Sequence, residues 1–187
     1  MKRPEKDTSR SADADPANAD WPGNPLDQFA EEHLIQREDC AALDQLATLT
    51  RPDRELAAKV LHHLDTMWIH HIHDEEDALF PLLRQRSSPE DDIYDTLDRL
   101  GGDHSNSLAE AGRVRQILQG VVDTDSLPSQ DDTAILAGFS AHKRRHLIVE
   151  SGIVLPLARV RLTDEDLASL RLRMIERRAG SRQSETP

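Results

Sequence analysis

Nine histidines occur in this chain of 187 residues, and seven of them fall into three short stretches: His62-His63, His70-His71-x-His73 and His142-x-x-x-His146. Two of these stretches open segments that repeat each other. Residues His71 to Leu82 and His146 to Leu157 both read His-x-x-x-Glu, three further residues, two large apolar residues, Pro, Leu. On a helix, a spacing of four residues stacks two side chains on one face, so each segment presents an imidazole beside a carboxylate, His71 with Glu75 and His146 with Glu150. Leu79, Leu82, Val154 and Leu157 lie one to two turns further along the same side, which predicts that these faces point into the protein. Burying a carboxylate is costly without a positive partner. A metal ion is the partner that this mixture of groups suits.

Two isolated histidines extend the set. His33 is preceded by Phe29 and followed by Cys40, Leu43 and Ala47 at helical intervals, and His104 is flanked in the same way by Leu97, Leu100, Leu108 and Ala111. The candidate ligands are therefore His33, His71, Glu75, His104, His146 and Glu150. Four neutral imidazoles and two carboxylates are borderline to hard donors, matched to iron or manganese. Two octahedral ions sharing both glutamates and an oxygen bridge would keep open positions, and an open position is what lets a centre take up a small ligand. Other registers exist, pairing His73 with Asp77 or His70 with Asp74, and His142 stands one turn before His146. His62, His63, His70 and His73 do not match the repeat and are expected at the surface or around the site.

These side chains need helices to carry them. Asn24-Pro25 starts the first, with Asn as cap and Pro at the first helical position, and the helix runs to about Leu49. Thr50-Arg51-Pro52-Asp53 opens a second helix that reaches about Gln85. Ser87-Ser88-Pro89-Glu90 opens a third, ending near Gly120, in which Gly101-Gly102 reads as a break or a local unwinding. After an acidic, Pro-containing loop at 123–131 a fourth helix runs to about Arg161. Pro81 and Pro156 deprive the carbonyls of Asp77 and Gly152 of their partners and predict kinks just past the candidate ligands. Thr163-x-x-Asp166 resembles a capping box before a short fifth helix. The expected fold class is all-α, an up-down-up-down antiparallel four-helix bundle with a short C-terminal fifth helix, spanning 24–178 between disordered tails at 1–23 and 179–187.

Composition narrows the function classes. With 23 Lys and Arg against 35 Asp and Glu the net charge is −12, which removes most of the electrostatic case for nucleic acid. Aromatic residues make up only 3%, arguing against a β-sandwich or barrel. The single Cys40 excludes an internal disulfide framework and suits a reducing, cytoplasmic location, and no stretch resembles a membrane span or signal peptide. From Lys143 onward the balance reverses to ten basic against six acidic residues, so the fifth helix is expected to dock on the acidic faces of the first three.

The paired motif, with the two isolated histidines, resembles the hemerythrin-like, HHE cation-binding family over about residues 26–160. The resemblance implies a four-helix bundle holding two iron ions joined by an oxo or hydroxo bridge, with manganese or zinc as substitutes. Glu75 and Glu150 would bridge, with His33, His71, His104 and His146 as terminal ligands in an unassigned order. It further implies a small diatomic partner, O2 or NO, or peroxide, handled under oxidative or nitrosative stress, with no nucleic acid or membrane partner. Oxygen carriers of the family have a second histidine one turn after the first on the third helix, where this chain has Leu108, and end the fourth-helix motif with an Asp one residue later. The four-His, two-Glu set is closer to bacterial members linked to nitrosative stress and iron-centre repair, without their cysteine-bearing N-terminal module. Beside the ligand-binding reading stand a peroxide- or oxygen-reducing di-iron enzyme and a metal-free interaction bundle.

Overall fold

The computed structural model describes residues 23–184; the tail expected at 1–23 lies outside these apart from Gly23, as do the last three residues. Every regular element among the described residues is helical. Helix α1 (Pro25–Thr48) begins as its sequence requires, with the Asn24 side chain accepting from the Leu26 amide at 2.9 Å and Pro25 at the first turn. Helix α2 spans 54–86 as one continuous helix whose segment junctions all keep helical backbone, capped by Asp53 on the Leu56 amide at 2.9 Å. Helix α3 (Tyr94–Thr124) follows a single 3₁₀ turn at Pro89–Asp91 and a left-handed Asp92. Helix α4 spans 130–161 and opens on a Ser129/Asp132 capping box. Helix α5 (Asp164–Ser184) opens on the expected box, Thr163 N–H donating to Asp166 Oδ2 and the Asp166 amide to Thr163 Oγ.

Three sequence expectations change in detail, and the distortion expected at the prolines takes a specific form. Helix α3 passes through Gly101-Gly102 and Gly120 without a break, because a glycine inside a helix costs only about 1 kcal/mol and packing on both sides outweighs that. Helix α5 runs on past Arg178 to Ser184, so 179–184 continue the helix and do not form a tail. The loop before α4 is shorter than 123–131, since α3 extends to Thr124 and α4 begins at Gln130. The prolines produce widened turns: both α2 and α4 loosen into π turns, at Glu75–Leu79 and Glu150–Val154. In each, the first residue past the turn bonds five residues back, Phe80 N–H to the Glu75 carbonyl and Leu155 N–H to the Glu150 carbonyl. Sliding the ladder by one residue accommodates the missing proline N–H and re-aims what precedes it. The freed carbonyl of Asp77 accepts instead from Arg173 of α5, at 3.3 Å. A third π turn, Leu64–Trp68, lies earlier in α2.

Two apolar clusters fill the interior. One gathers Leu26, Phe29, Leu79, Phe80, Leu97 and Leu155 with their neighbours, the other Leu43, Leu46, Val60, Leu118, Leu136 and Phe139. Each of α1 to α4 carries its candidate ligands between its contributions to the two clusters. Helices α1 and α3 visit the first cluster before the second, and α2 and α4 visit them in the reverse order. A polar layer is thereby enclosed between two dry ones. Helix α1 packs on α4 and α2, α3 on α2 and α4, and α5 against α1 and α2. No helix among the described residues is long and apolar enough to cross a membrane.

Candidate metal centre

All six candidate ligands lie in the enclosed layer, none more than 2% exposed. Their donor atoms form two overlapping groups, each with its atoms within 4.8 Å of one another: His33, His71, Glu75 and Glu150, and Glu75, His104, His146 and Glu150. Glu75 and Glu150 belong to both. This geometry places His33 with His71 and His104 with His146, the grouping that spacing alone left open.

The imidazoles all turn Nε2 inward. His33 Nε2 lies 3.4 Å from Glu150 Oε2 and 3.9 Å from Glu75 Oε1, and His71 Nε2 lies 3.5 Å from Glu75 Oε2. His104 Nε2 is 3.2 Å from Glu75 Oε2 and 3.4 Å from Glu150 Oε1, while His146 Nε2 is 2.5 Å from Glu150 Oε1. Yet these contacts are poor hydrogen bonds. His33 Nε2, His71 Nε2 and all four carboxylate oxygens are buried without a hydrogen-bond partner, and His104 Nε2 faces His146 Nε2 at 2.8 Å. Polar atoms that converge on one space and do not satisfy one another are arranged around a cation, since buried polar groups otherwise find partners.

Three of the four outward nitrogens are hydrogen-bonded separately, and His146 Nδ1 has a carboxylate nearby without a hydrogen bond. His71 Nδ1–H donates to Glu32 Oε2 at 2.8 Å and His104 Nδ1–H to Glu76 Oε1 at 2.6 Å. His33 Nδ1 is bonded to Ser151 Oγ at 2.9 Å, which also accepts from Arg37, and Asp103 Oδ2 approaches His146 Nδ1 at 3.5 Å. Carboxylates behind imidazoles fix ring orientation and tautomer and raise the basicity of the inward nitrogen, as in metal sites generally.

The electrostatics carry the same demand for positive charge. Burial pushes the His104 imidazole down, but the nearby carboxylates of Glu150 and Glu75 and its bond to Glu76 outweigh burial and lift it to about 11. Burial likewise opposes charge on His71, and the carboxylates of Glu75 and Glu32 reverse it upward. Burial and the charge of Glu150 push Glu75 up, yet His71, His104 and His33 hold it down at about 2. Glu150 is also held well below its ordinary value, against burial, by His104 and His146. Two buried carboxylates stay ionised only because cationic groups surround them.

The alternative registers are not in this layer. His73 pairs with Asp77 at 3.4 Å at the surface, with half of His73 exposed, and His70 is half-buried beside the cluster. His142 faces Asp103 at 3.9 Å, behind His146. His63 bonds Asp39 at 2.8 Å, and Asp39 also accepts from Nε1 of the buried Trp68 at 3.1 Å. Cys40 is buried and burial pushes its thiol up to about 11, so it packs as a small apolar residue. Leu108 is not the residue that faces the layer one turn after His104. Ser107 is buried there and Leu108 is 44% exposed.

Glu32, Glu76, Asp103 and Ser151 are missing from the sequence reading, because a lone acid or hydroxyl carries no periodic signal. Glu76 has one trace, Gly101. A Cβ at Gly101 would lie 3.3 Å from Glu76 Oε1, so the glycine leaves room for the carboxylate that holds His104. Gly101→Ala is expected to favour the helix by about 1 kcal/mol while displacing Glu76. The His104 Nδ1–H resonance in metal-free protein should move upfield as that bond lengthens, and an unchanged resonance would show that the space is not needed.

The Hemerythrin HHE cation binding domain model matches residues 24–158, and the chain belongs to that family. No curated protein matches the chain.

Proposed function

We propose that the six side chains hold two cations, preferentially iron, in a non-haem site that binds a small ligand, O2, NO or peroxide. His33 and His71 complete one position, His104 and His146 the other, and Glu75 and Glu150 serve both. The observation that carries this reading is the set of inward-turned nitrogens and carboxylate oxygens that leave one another unsatisfied in a buried polar layer between two apolar clusters. An iron pair with open positions supplies reversible binding or reduction of such ligands when bound. The chain's own part is to exclude water with an apolar cluster on each side, to hold Nε2 of four imidazoles inward, and to keep both glutamates ionised. The reversed order in which successive helices visit the two clusters supports an up-down-up-down arrangement. The single buried Cys40 suits a reducing cytoplasm.

Elemental analysis of protein produced with iron tests this. We expect about two iron per chain, with near-ultraviolet absorption of the oxidised protein typical of a bridged ferric pair; trace metal would overturn the reading. Turnover of added peroxide by the loaded protein would assign an enzyme, whereas a ligand released unchanged would assign a binding protein.

A further inference from the structure

The matched family region ends at residue 158, and helix α5 lies wholly beyond it. It nonetheless reaches the centre. Arg178 is 3% exposed, and its guanidinium joins two buried carboxylates from different helices, Nη2 donating to Glu32 Oε1 at 2.9 Å and Nη1 to Asp74 Oδ2 at 2.5 Å. Glu32 Oε1 also accepts from Gln28 at 3.0 Å, and its other oxygen, Oε2, takes the His71 Nδ1–H. Both carboxylate oxygens of Glu32 are thus committed, one to the arginine side and one to the imidazole. Arg177 adds a second cation on Asp74 Oδ1, and Arg173 takes the carbonyl that Pro81 frees.

We infer that Arg178 is a positioning residue for the metal centre, in which helix α5 sets the orientation of His71 through Glu32. The inference rests on the metal-site reading above. A planar fork is the group suited to this task, because it can bind two carboxylates at fixed angles while an ammonium acts as a point charge. With the fork in place, Glu32 cannot rotate away from His71, and the imidazole keeps Nε2 aimed inward. His33 and His104 are held by Ser151 and Glu76, and the carboxylate nearest His146 Nδ1 is Asp103 at 3.5 Å; none of these three lies on α5. The effect should therefore fall on one metal position and spare the other.

The test uses the full chain, stripped with a chelator and titrated anaerobically with Fe(II) against a chromophoric competitor, beside Glu32→Gln, Arg178→Lys and Arg86→Gln. Loss of an outer partner costs about 10–100-fold in metal affinity, so we expect one position to weaken by that factor in Glu32→Gln and Arg178→Lys, with the other within about threefold. Co(II) loading should change the visible spectrum of that one position only. Arg86→Gln removes the pair that anchors the start of α5, Arg86 Nε to Asp166 at 2.7 Å, without touching the chain to His71, and should leave both affinities within about threefold. If both positions are unchanged in Glu32→Gln and Arg178→Lys, or if Arg86→Gln weakens them equally, the inference is overturned. Should one variant fail to fold, the other decides. If the unaltered chain takes up no Fe(II), the metal-site reading falls first and this inference with it.

Discussion

Glu75→Gln and Glu150→Gln are each expected to cost the protein both cations, whereas His33→Ala and His146→Ala each cost predominantly one. The asymmetry follows from membership of the two donor groups: both glutamates belong to both, and each histidine to one. A neutral amide at either shared position removes the negative charge that both ions use and replaces one of its two oxygen donors by a non-ligating NH2. Outer partners alone change affinity by about 10–100-fold, so loss of a shared inner donor should exceed about 100-fold at both positions. Metal content after desalting reads this directly. Glu75→Gln that retained one tightly held ion per chain would show that the glutamate is not shared.

The second large effect is on stability. Stripping the metal should lower the thermal midpoint by about 10–20 °C, because saturation of one site at a hundredfold excess over Kd contributes about 2.7 kcal/mol and two sites about 5. For a domain of this size each kcal/mol shifts the midpoint by about 2–4 °C. The protein without metal keeps two fully buried carboxylates balanced only by protons on neighbouring imidazoles, which is the weaker of the two ways to supply positive charge. Scanning calorimetry with and without chelator measures the difference, and Glu75→Gln should not respond to the chelator. A midpoint that ignores the chelator in the unaltered chain would favour a metal-free bundle.

The centre was legible in the sequence where periodicity and residue type agree. His71 with Glu75 and His146 with Glu150 stand out because one motif occurs twice at the same distance from proline, and His33 and His104 because each interrupts an apolar stripe. What was hidden lies one interaction further out. Glu32 precedes a ligand and Glu76 follows one, but acidic residues on helices are common, and nothing in their spacing distinguishes an acid that faces an imidazole from one that faces water. Arg178 is more than a hundred residues from His71, and only docking of α5 brings it to Glu32.

Local geometry was only partly legible, for a different reason. Pro81 and Pro156 predict a distortion just past the ligands, but not its form, a π turn in each helix that starts at Glu75 and Glu150 themselves. Gly101-Gly102 looked like a break because propensity was the only signal available. The use of Gly101 is steric and depends on Glu76, a neighbour from another helix. Charge was more informative than propensity here. The basic excess after Lys143 predicted docking of α5 on acidic faces of the first three helices, and the acidic partners lie on the first two, Arg177 on Asp74 and Arg178 on Asp74 and Glu32, with Arg86 on Asp166 in the opposite sense.

The central claim, that two metal ions sit inside one ring of six side chains from four helices, is tested most directly by anomalous diffraction from crystals of the iron-loaded chain at the iron edge. The account predicts two peaks within the ring, each at about 2.0–2.2 Å from its imidazole nitrogens and from oxygens of Glu75 and Glu150, distances typical of such donors. Iron located only at surface carboxylates, with no peak between Glu75 and Glu150, would contradict it.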